Sequence, residues 1–355
     1  MPIVPLAGHT VLRRRFEESL HRGSLPASLL VHGPRGVGKQ RLALWLGQLL
    51  LCGTPEAPCG ECSNCRHAMD LTHPDLVWVF PRPRKDDQAD AAPDEVAANL
   101  AEAVSERREA LGLYAAPPGT DGIFVSGVRS LVREAIKPPS VARRRVVVVG
   151  DAEQMARTED AAEAANAFLK LLEEPPAHLT IILTSSEPGA LLPTIRSRVV
   201  SIRAGRLSDA EVRALLSRPE VSAFLDRVDK DSLDLRVGRA GGAPGSLLSA
   251  TSLAAARENA QRILAAASGS RGAQLRVSLA QGASGARGSY SDTLDELTRL
   301  LRDRVATSLD AGDGAAARRM ARGIPAVERA KVRAAGNTHP GLLTAQLVRE
   351  LAGMS

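Results

Sequence analysis

Short apolar runs and longer striped segments organise the first half of the chain. Residues 28–32 (SLLVH), 146–149 (four consecutive valines) and 179–184 (LTIILT) are apolar runs bounded by turn residues or charge. Runs of this length predict strands buried on both faces of a parallel sheet. Helical spacing lies between them. Leu42, Leu44, Trp45, Leu46 and Leu49 predict a helix after the first run. Asn166, Phe168, Leu169, Leu171 and Leu172 predict a second, closed by Glu173-Glu174-Pro175-Pro176, because proline lacks the N–H that would continue it. Strands alternating with helices predict an α/β fold with a parallel sheet.

From about residue 206 the pattern becomes helical throughout. Ser208-Asp209-Ala210-Glu211 has the Ser-x-x-Glu form of a capping box, and short helices follow to about 250. Leu294, Leu297, Leu301 and Val305 share one helical face, as do Leu343, Leu347 and Leu351. The expected division is a core over 1–205, a small helical part over 206–250 and an all-α part over 251–355. Two stretches break the pattern. Residues 82–122 open on a charged, proline-punctuated loop. Val96, Leu100, Val104 and Leu111 then predict a short amphipathic helix, ended by Pro117-Pro118-Gly119. This insert reads as a surface elaboration. Residues 268–291, rich in Gly, Ser and Ala, read as a loop.

A length of 355 residues predicts two or three domains. With 44% hydrophobic and 24% charged residues the balance is that of a globular protein, which excludes wholesale disorder. The longest apolar run, residues 42–51, is interrupted by Gly47 and Gln48 and is too short to span a bilayer. The first residues lack the pattern of a secretory signal, so a cytoplasmic protein without membrane partners is expected. The net charge of +6 rests on arginine, since only six of the 46 basic residues are lysine. It reads as compositional bias towards Arg and Ala. Aromatics at 3% argue against base stacking on many rings.

The four cysteines, Cys52, Cys59, Cys62 and Cys65, lie within fourteen residues. Two C-x2-C steps sharing Cys62, with Pro58, Gly60 and Ser63 as turn formers, predict one tight knuckle. Four thiolates complete a tetrahedral Zn²⁺ shell and leave no position for water, so the site would be structural. Two disulfides are the alternative, in a chain large enough not to need staples.

Residues 33–40 read GPRGVGKQ, between an apolar strand and a helix, which is the setting of a phosphate-binding loop. Gly33, Gly36 and Gly38 would let backbone N–H groups curl around phosphate oxygens, and Lys39 would reach the terminal phosphates. The pattern asks for Ser or Thr after the lysine as a Mg²⁺ ligand. Gln40 stands there, a poor substitute at short octahedral distances. Asp151 follows the valine run, at the strand end where ligands of open α/β sheets bind. The water-orienting Glu of an active ATPase would come next. Ala152 holds that position, and Glu153, one residue on, reads as a solvated acid at a helix start.

With these segments, residues 163–176 (EAANAFLKLLEEPP) and 193–199 (PTIRSRV) carry a resemblance to the bacterial clamp-loader subunits, AAA+ proteins of the DNA polymerase III holoenzyme. The family shows NALLKxLEEPP and Ser-Arg-Cys where this chain has NAFLKLLEEPP and Ser197-Arg198-Val199. The resemblance covers about residues 5–250, with a break at 82–122. It implies an AAA+ core with an inserted zinc module at 52–65, a helical lid, and a C-terminal collar that joins five subunits. It implies that Ser185 holds the sensor position near the phosphates. It also implies that Arg198 points at a neighbour's ATP as an arginine finger, although read alone it is an ordinary surface ion pair.

Two sister subunits share this layout, the ATP-hydrolysing gamma/tau type and the delta-prime type. Gln40, Ala152 and Gly245-Ser246, which stand where a hydrolysing member has an Arg-Asp pair, follow the delta-prime pattern. The expected partners are then gamma/tau and delta subunits in a hetero-pentamer, with the sliding clamp and primed DNA met through that complex. Zn²⁺ is the expected cofactor, ATP with Mg²⁺ remains open, and a gamma/tau-type ATPase is the alternative.

Overall fold

The computed structural model describes residues 2–83, 93–114, 122–157, 161–227, 231–281, 287–334 and 339–353. The chain divides into two compact units, one running to Leu248 and one beginning at Ser249.

The first unit is built on a five-stranded sheet of β1 (Ser28–His32), β2 (Leu76–Val79), β3 (Arg145–Val149), β4 (Leu179–Ser185) and β5 (Val200–Arg203). Their order is β2-β3-β4-β1-β5, and every neighbouring pair is parallel. The valine run shows why β3 needs no polar residue. Val146 and Val148 pack with α2 (Lys39–Leu51) on one face, while Val147 and Val149 pack with α5 (Val125–Ala135) and α6 (Ala161–Glu173) on the other. Side chains alternate across a strand, so a run covered on both sides must be apolar throughout. The α/β parallel-sheet expectation holds. The edge strands β2 and β5 were not among the expected ones: β2 (Leu76–Val79) is a short apolar run like the others, whereas β5 carries no such run.

The described part of the insert lies on this unit with one face packed against its core and the other exposed. Helix α4 (Pro93–Glu109) carries the expected stripe: Val96 is buried, and Leu100 and Val104 pack on the core. The helix stops at Glu109, earlier than expected. Leu111 and Gly112 turn the chain back with φ of 57° and 71°. Leu111 and Leu113 then join Val4, Leu207, Val212, Leu216 and Val237 in one apolar cluster. Residues 84–92 and 115–121, including Pro117 and Pro118, lie outside the described residues. Beyond the sheet, α8 (Asp209–Leu216) begins with the capping box: Ser208 accepts from the Glu211 N–H, and the Glu211 carboxylate accepts from the Ser208 N–H.

The second unit comprises α11 (Ala250–Ala267), α12 (Arg271–Leu279), α13 (Arg287–Asp310), α14 (Gly314–Ala334) and α15 (Pro340–Ala352). Leu294, Leu297 and Leu301 are buried with Leu343, Leu347 and Leu351, as their spacing predicts, while Val305 is half-buried. The loop expected over 268–291 is corrected by α12. Ser270 caps that helix by accepting from the Ala273 N–H, and Val277 packs into the core. Capping and the burial of Val277 and Ser278 outweigh a Gly/Ser-rich composition here. Among the described residues no helix is long and apolar enough to cross a membrane.

Candidate functional site

Helix α2 carries a different chemistry at each end. Its C-terminus delivers Cys52, and Cys62 caps the following helix α3 (Ser63–Met69). The two helices are tied by Asn64 Nδ2, which donates to the Leu51 carbonyl at 2.8 Å. All four cysteines are free thiols, so the disulfide alternative is not formed, and their sulfurs lie within 4.8 Å of one another. Three pairs are 3.7 to 3.9 Å apart. A tetrahedron with metal–sulfur bonds of about 2.3 Å has edges of about 3.8 Å, so the set fits a structural metal ion. Backbone N–H groups of Cys62 and Cys65 donate to the Cys59 and Cys62 sulfurs, both at 3.4 Å, which orients the knuckle. Donation from the backbone of Cys62 and Glu61 holds the Cys59 thiol down to about 6, whereas burial pushes Cys65 up. His67 is exposed and bonds to Thr72, outside the cysteine set.

The other end of α2, roughly 20 Å away by helix rise, receives the glycine loop. Gly33 follows β1, and Gly38 occupies the N-cap position of α2 with φ 90°. Gly36, at φ 80°, is packed against the 243–246 segment: the Gly245 N–H donates to the Gly36 carbonyl at 2.9 Å, and a Cβ on Gly36 would meet the Ser246 nitrogen at 2.9 Å. Lys39 is buried, and its ammonium donates to the Pro34 carbonyl at 2.9 Å and to Ser186 Oγ at 2.8 Å. Ser185, fully buried at the end of β4, accepts from the Glu187 N–H. Ser186 is therefore the serine that meets Lys39, one residue beyond the position marked in the sequence.

Glu153 is corrected. It is 3% exposed, not solvated. A 3-10 helix over Ala152–Arg157 turns it inward, where it accepts from the Ser186 N–H at 3.0 Å. Burial, then the neighbouring Asp151 carboxylate, pushes its carboxyl up to about 7. Ser186 thus links Lys39 to Glu153.

Gln40 and Asp151 meet directly, with Gln40 Nε2 donating to Asp151 Oδ2 at 2.9 Å. Asp151 is itself set by its N–H, which donates to Thr184 Oγ1 at 3.0 Å. The Gln40 oxygen accepts from the Trp78 indole at 3.1 Å and from the Tyr114 hydroxyl at 3.0 Å. Arg198 follows α7 (Pro193–Arg196) and bonds to Glu173 at 2.6 Å and to the Thr194 carbonyl at 2.9 Å.

Residues 8–207, more than half of the chain, match the family model described as DNA polymerase III, delta subunit. The chain belongs to this family. Among curated relatives, the delta' subunit of Pseudomonas aeruginosa is 34% identical over 173 residues, 48% of this chain and 40% of that protein. The delta' subunit of Escherichia coli K12 is 30% identical over 192 residues, 53% of this chain and 46% of that protein. The gamma/tau subunit of Mycobacterium tuberculosis H37Rv is 31% identical over 202 residues, 56% of this chain and 28% of that protein. The chain thus spans less than half the length of each of these relatives.

A glycine loop in this setting would hold a nucleotide with Mg²⁺, and the residues present do not fit the metal. Mg²⁺ requires oxygen ligands at about 2.0–2.1 Å. The Gln40 atom facing Asp151 is a nitrogen that donates a hydrogen bond. Trp78 and Tyr114 take part in this arrangement and had no marker in the sequence, their partner lying 38 and 74 positions away along the chain.

Proposed function

We propose that the chain is a delta-prime-type subunit of the DNA polymerase III clamp loader that does not hydrolyse ATP. In this reading it acts beside gamma/tau and delta subunits in a hetero-pentamer, in the cytoplasm, and meets the sliding clamp and primed DNA through that assembly. Residues 1–205 serve as the AAA+ core, 206–250 as the lid and 251–355 as the collar. Zinc on Cys52, Cys59, Cys62 and Cys65 keeps the knuckle rigid. The observation that carries the absence of turnover is the Gln40 amide bonded to Asp151, where a hydrolysing subunit needs a hydroxyl and a cation.

Arg198 is the group this subunit contributes. It follows a short helix next to the Glu-Glu-Pro-Pro stop, and its side chain is 34% exposed, accessible to a neighbour. A guanidinium placed against a γ-phosphate can raise turnover by about 10³–10⁵. The test is a reconstituted loader with primed DNA and clamp. Lys39→Ala in this chain should leave ATP hydrolysis unchanged, and Arg198→Ala should lower it without loss of assembly. Hydrolysis by the isolated chain that Lys39→Ala abolishes would overturn this reading in favour of a gamma/tau-type ATPase.

A further inference from the structure

Gln40 has one possible orientation. The Trp78 indole nitrogen can only donate, so the group facing it must be the Gln40 oxygen. The Tyr114 hydroxyl occupies that oxygen's second acceptor position. The amide nitrogen is thereby turned onto Asp151. A neutral donor stands where a cation would neutralise the carboxylate. The backbone accommodates this choice, since a Cβ on Gly150 would collide with the Gln40 amide.

Tyr114 belongs to the insert, and the insert holds it in place from several sides. The Arg107 guanidinium lies 3.2 Å from the Phe80 ring centroid, 3.9 Å from that of Tyr114 and 4.8 Å from that of Trp78. Stacking of this kind is worth most where water is excluded, and Arg107 is 9% exposed. The turn after α4 is fixed by the Val4 N–H, which donates to the Leu111 carbonyl at 2.9 Å. Gly112 leaves room for the Arg41 side chain, which a Cβ would strike. Burial pushes the Tyr114 phenol up to about 12, so it remains a donor at neutral pH.

We propose that the insert acts as an internal plug: Tyr114 and Trp78 lock Gln40 onto Asp151, the amide substitutes for the metal ion, and Mg²⁺-nucleotide is kept out of the site. Tyr114 and Trp78 are positioning residues that act through Gln40. The inference rests on the reading that this chain does not turn over ATP, and it assigns that property to a specific device.

The test uses the full chain and a fluorescent ATP analogue, titrated with Mg²⁺ and with EDTA, alongside the indole N–H resonances of Trp45 and Trp78. Wild type should show the same affinity in both conditions. Gln40→Thr, which restores a hydroxyl and removes the lock, should bind at least about tenfold more tightly with Mg²⁺ than with EDTA. Tyr114→Phe keeps the ring and removes one donor, and should gain about fivefold in Mg²⁺-dependent affinity. The Trp78 indole signal should move in both variants while that of Trp45 stays in place. Mg²⁺-dependent binding by wild type equal to that of Gln40→Thr would overturn the proposal. So would a Tyr114→Phe chain with wild-type binding and an unmoved Trp78 signal. Failure of the functional reading is seen separately, as ATP hydrolysis by the isolated wild-type chain.

Discussion

The Arg198 guanidinium lies 2.6 Å from the Glu173 carboxylate, with the two side chains 34% and 48% exposed. The pair joins the end of α6 to the turn after α7, and its carboxylate comes from the Glu-Glu-Pro-Pro stop. The two segments that carried the family resemblance are therefore in contact.

An exposed pair of this kind is worth about 0–1 kcal/mol, so it holds the arginine in place without trapping it. Glu173→Gln should shift the melting temperature by no more than a degree or two. In the reconstituted loader it should leave hydrolysis at or above the wild-type rate, because the arginine proposed as a finger is released. Arg198→Ala, equally mild for stability, should cut the steady-state rate at least about tenfold. A rate unchanged by Arg198→Ala would leave the contact as a surface ion pair.

The cysteine cluster predicts a metal requirement that ordinary packing would not create. Metal analysis of the native chain should give close to one equivalent of zinc, and Cys62→Ser should lose it. Chelation should lower the melting temperature by several degrees, since metal binding by a folded site is folding free energy. The loss should grow below neutral pH, as protons compete for the thiolates.

Three of the five strands are expected from their apolar runs; β2 (Leu76–Val79) has such a run too, while β5 does not, for a physical reason. β1, β3 and β4 lie inside the sheet, so burial on both faces writes a continuous apolar run. β5 is an edge strand whose Val200, Ser201 and Arg203 are exposed, and it leaves no such run. The candidate site divides in the same way. Cysteine spacing and the glycine loop are local patterns, and the four cysteines converge as their spacing predicts. Gln40 could be marked as a departure, but its partners Trp78 and Tyr114 come from β2 and the insert, and pairing over such distances leaves no periodicity. Glu153 was misplaced because an outward-facing helix start and an inward-facing 3-10 turn differ by about one residue of register.

Asp75 supplies a stability test away from the site. It is fully buried and accepts from the N–H groups of Ser140, Val141 and Ala142 at 2.6 to 2.8 Å and from Arg145 at 3.4 Å. This arrangement shapes the loop that enters β3. Asp75→Ala would leave Arg145 facing the more distant Glu134 carboxylate, at 3.9 Å, and would strip three buried N–H groups of their acceptor, at a cost of about 3–5 kcal/mol. Burial alone would raise the Asp75 carboxyl, but the three N–H groups and Arg145 outweigh it and leave the group below its usual value. Its contribution is therefore complete above about pH 4 and is lost as pH falls through the depressed folded value. Acid titration of unfolding should show this loss in wild type and not in Asp75→Ala.

Glu153 titrates in the opposite sense, which makes it separable from Asp75. Burial and the Asp151 charge raise its folded value to about 7, above the unfolded value of about 4.3. Between those limits the folded chain binds more protons than the unfolded one, so stability must fall as pH rises through the window. Glu153→Gln keeps an oxygen acceptor for the Ser186 N–H and removes the titration. The variant should therefore be more stable than wild type at pH 8, and the advantage should shrink towards pH 5. Denaturant midpoints at those two pH values give the answer. An equal difference at both would mean that Glu153 is ionised across the range. In that case Lys39, held beside it through Ser186, would be its charge partner instead of Asp151 its repulsive neighbour.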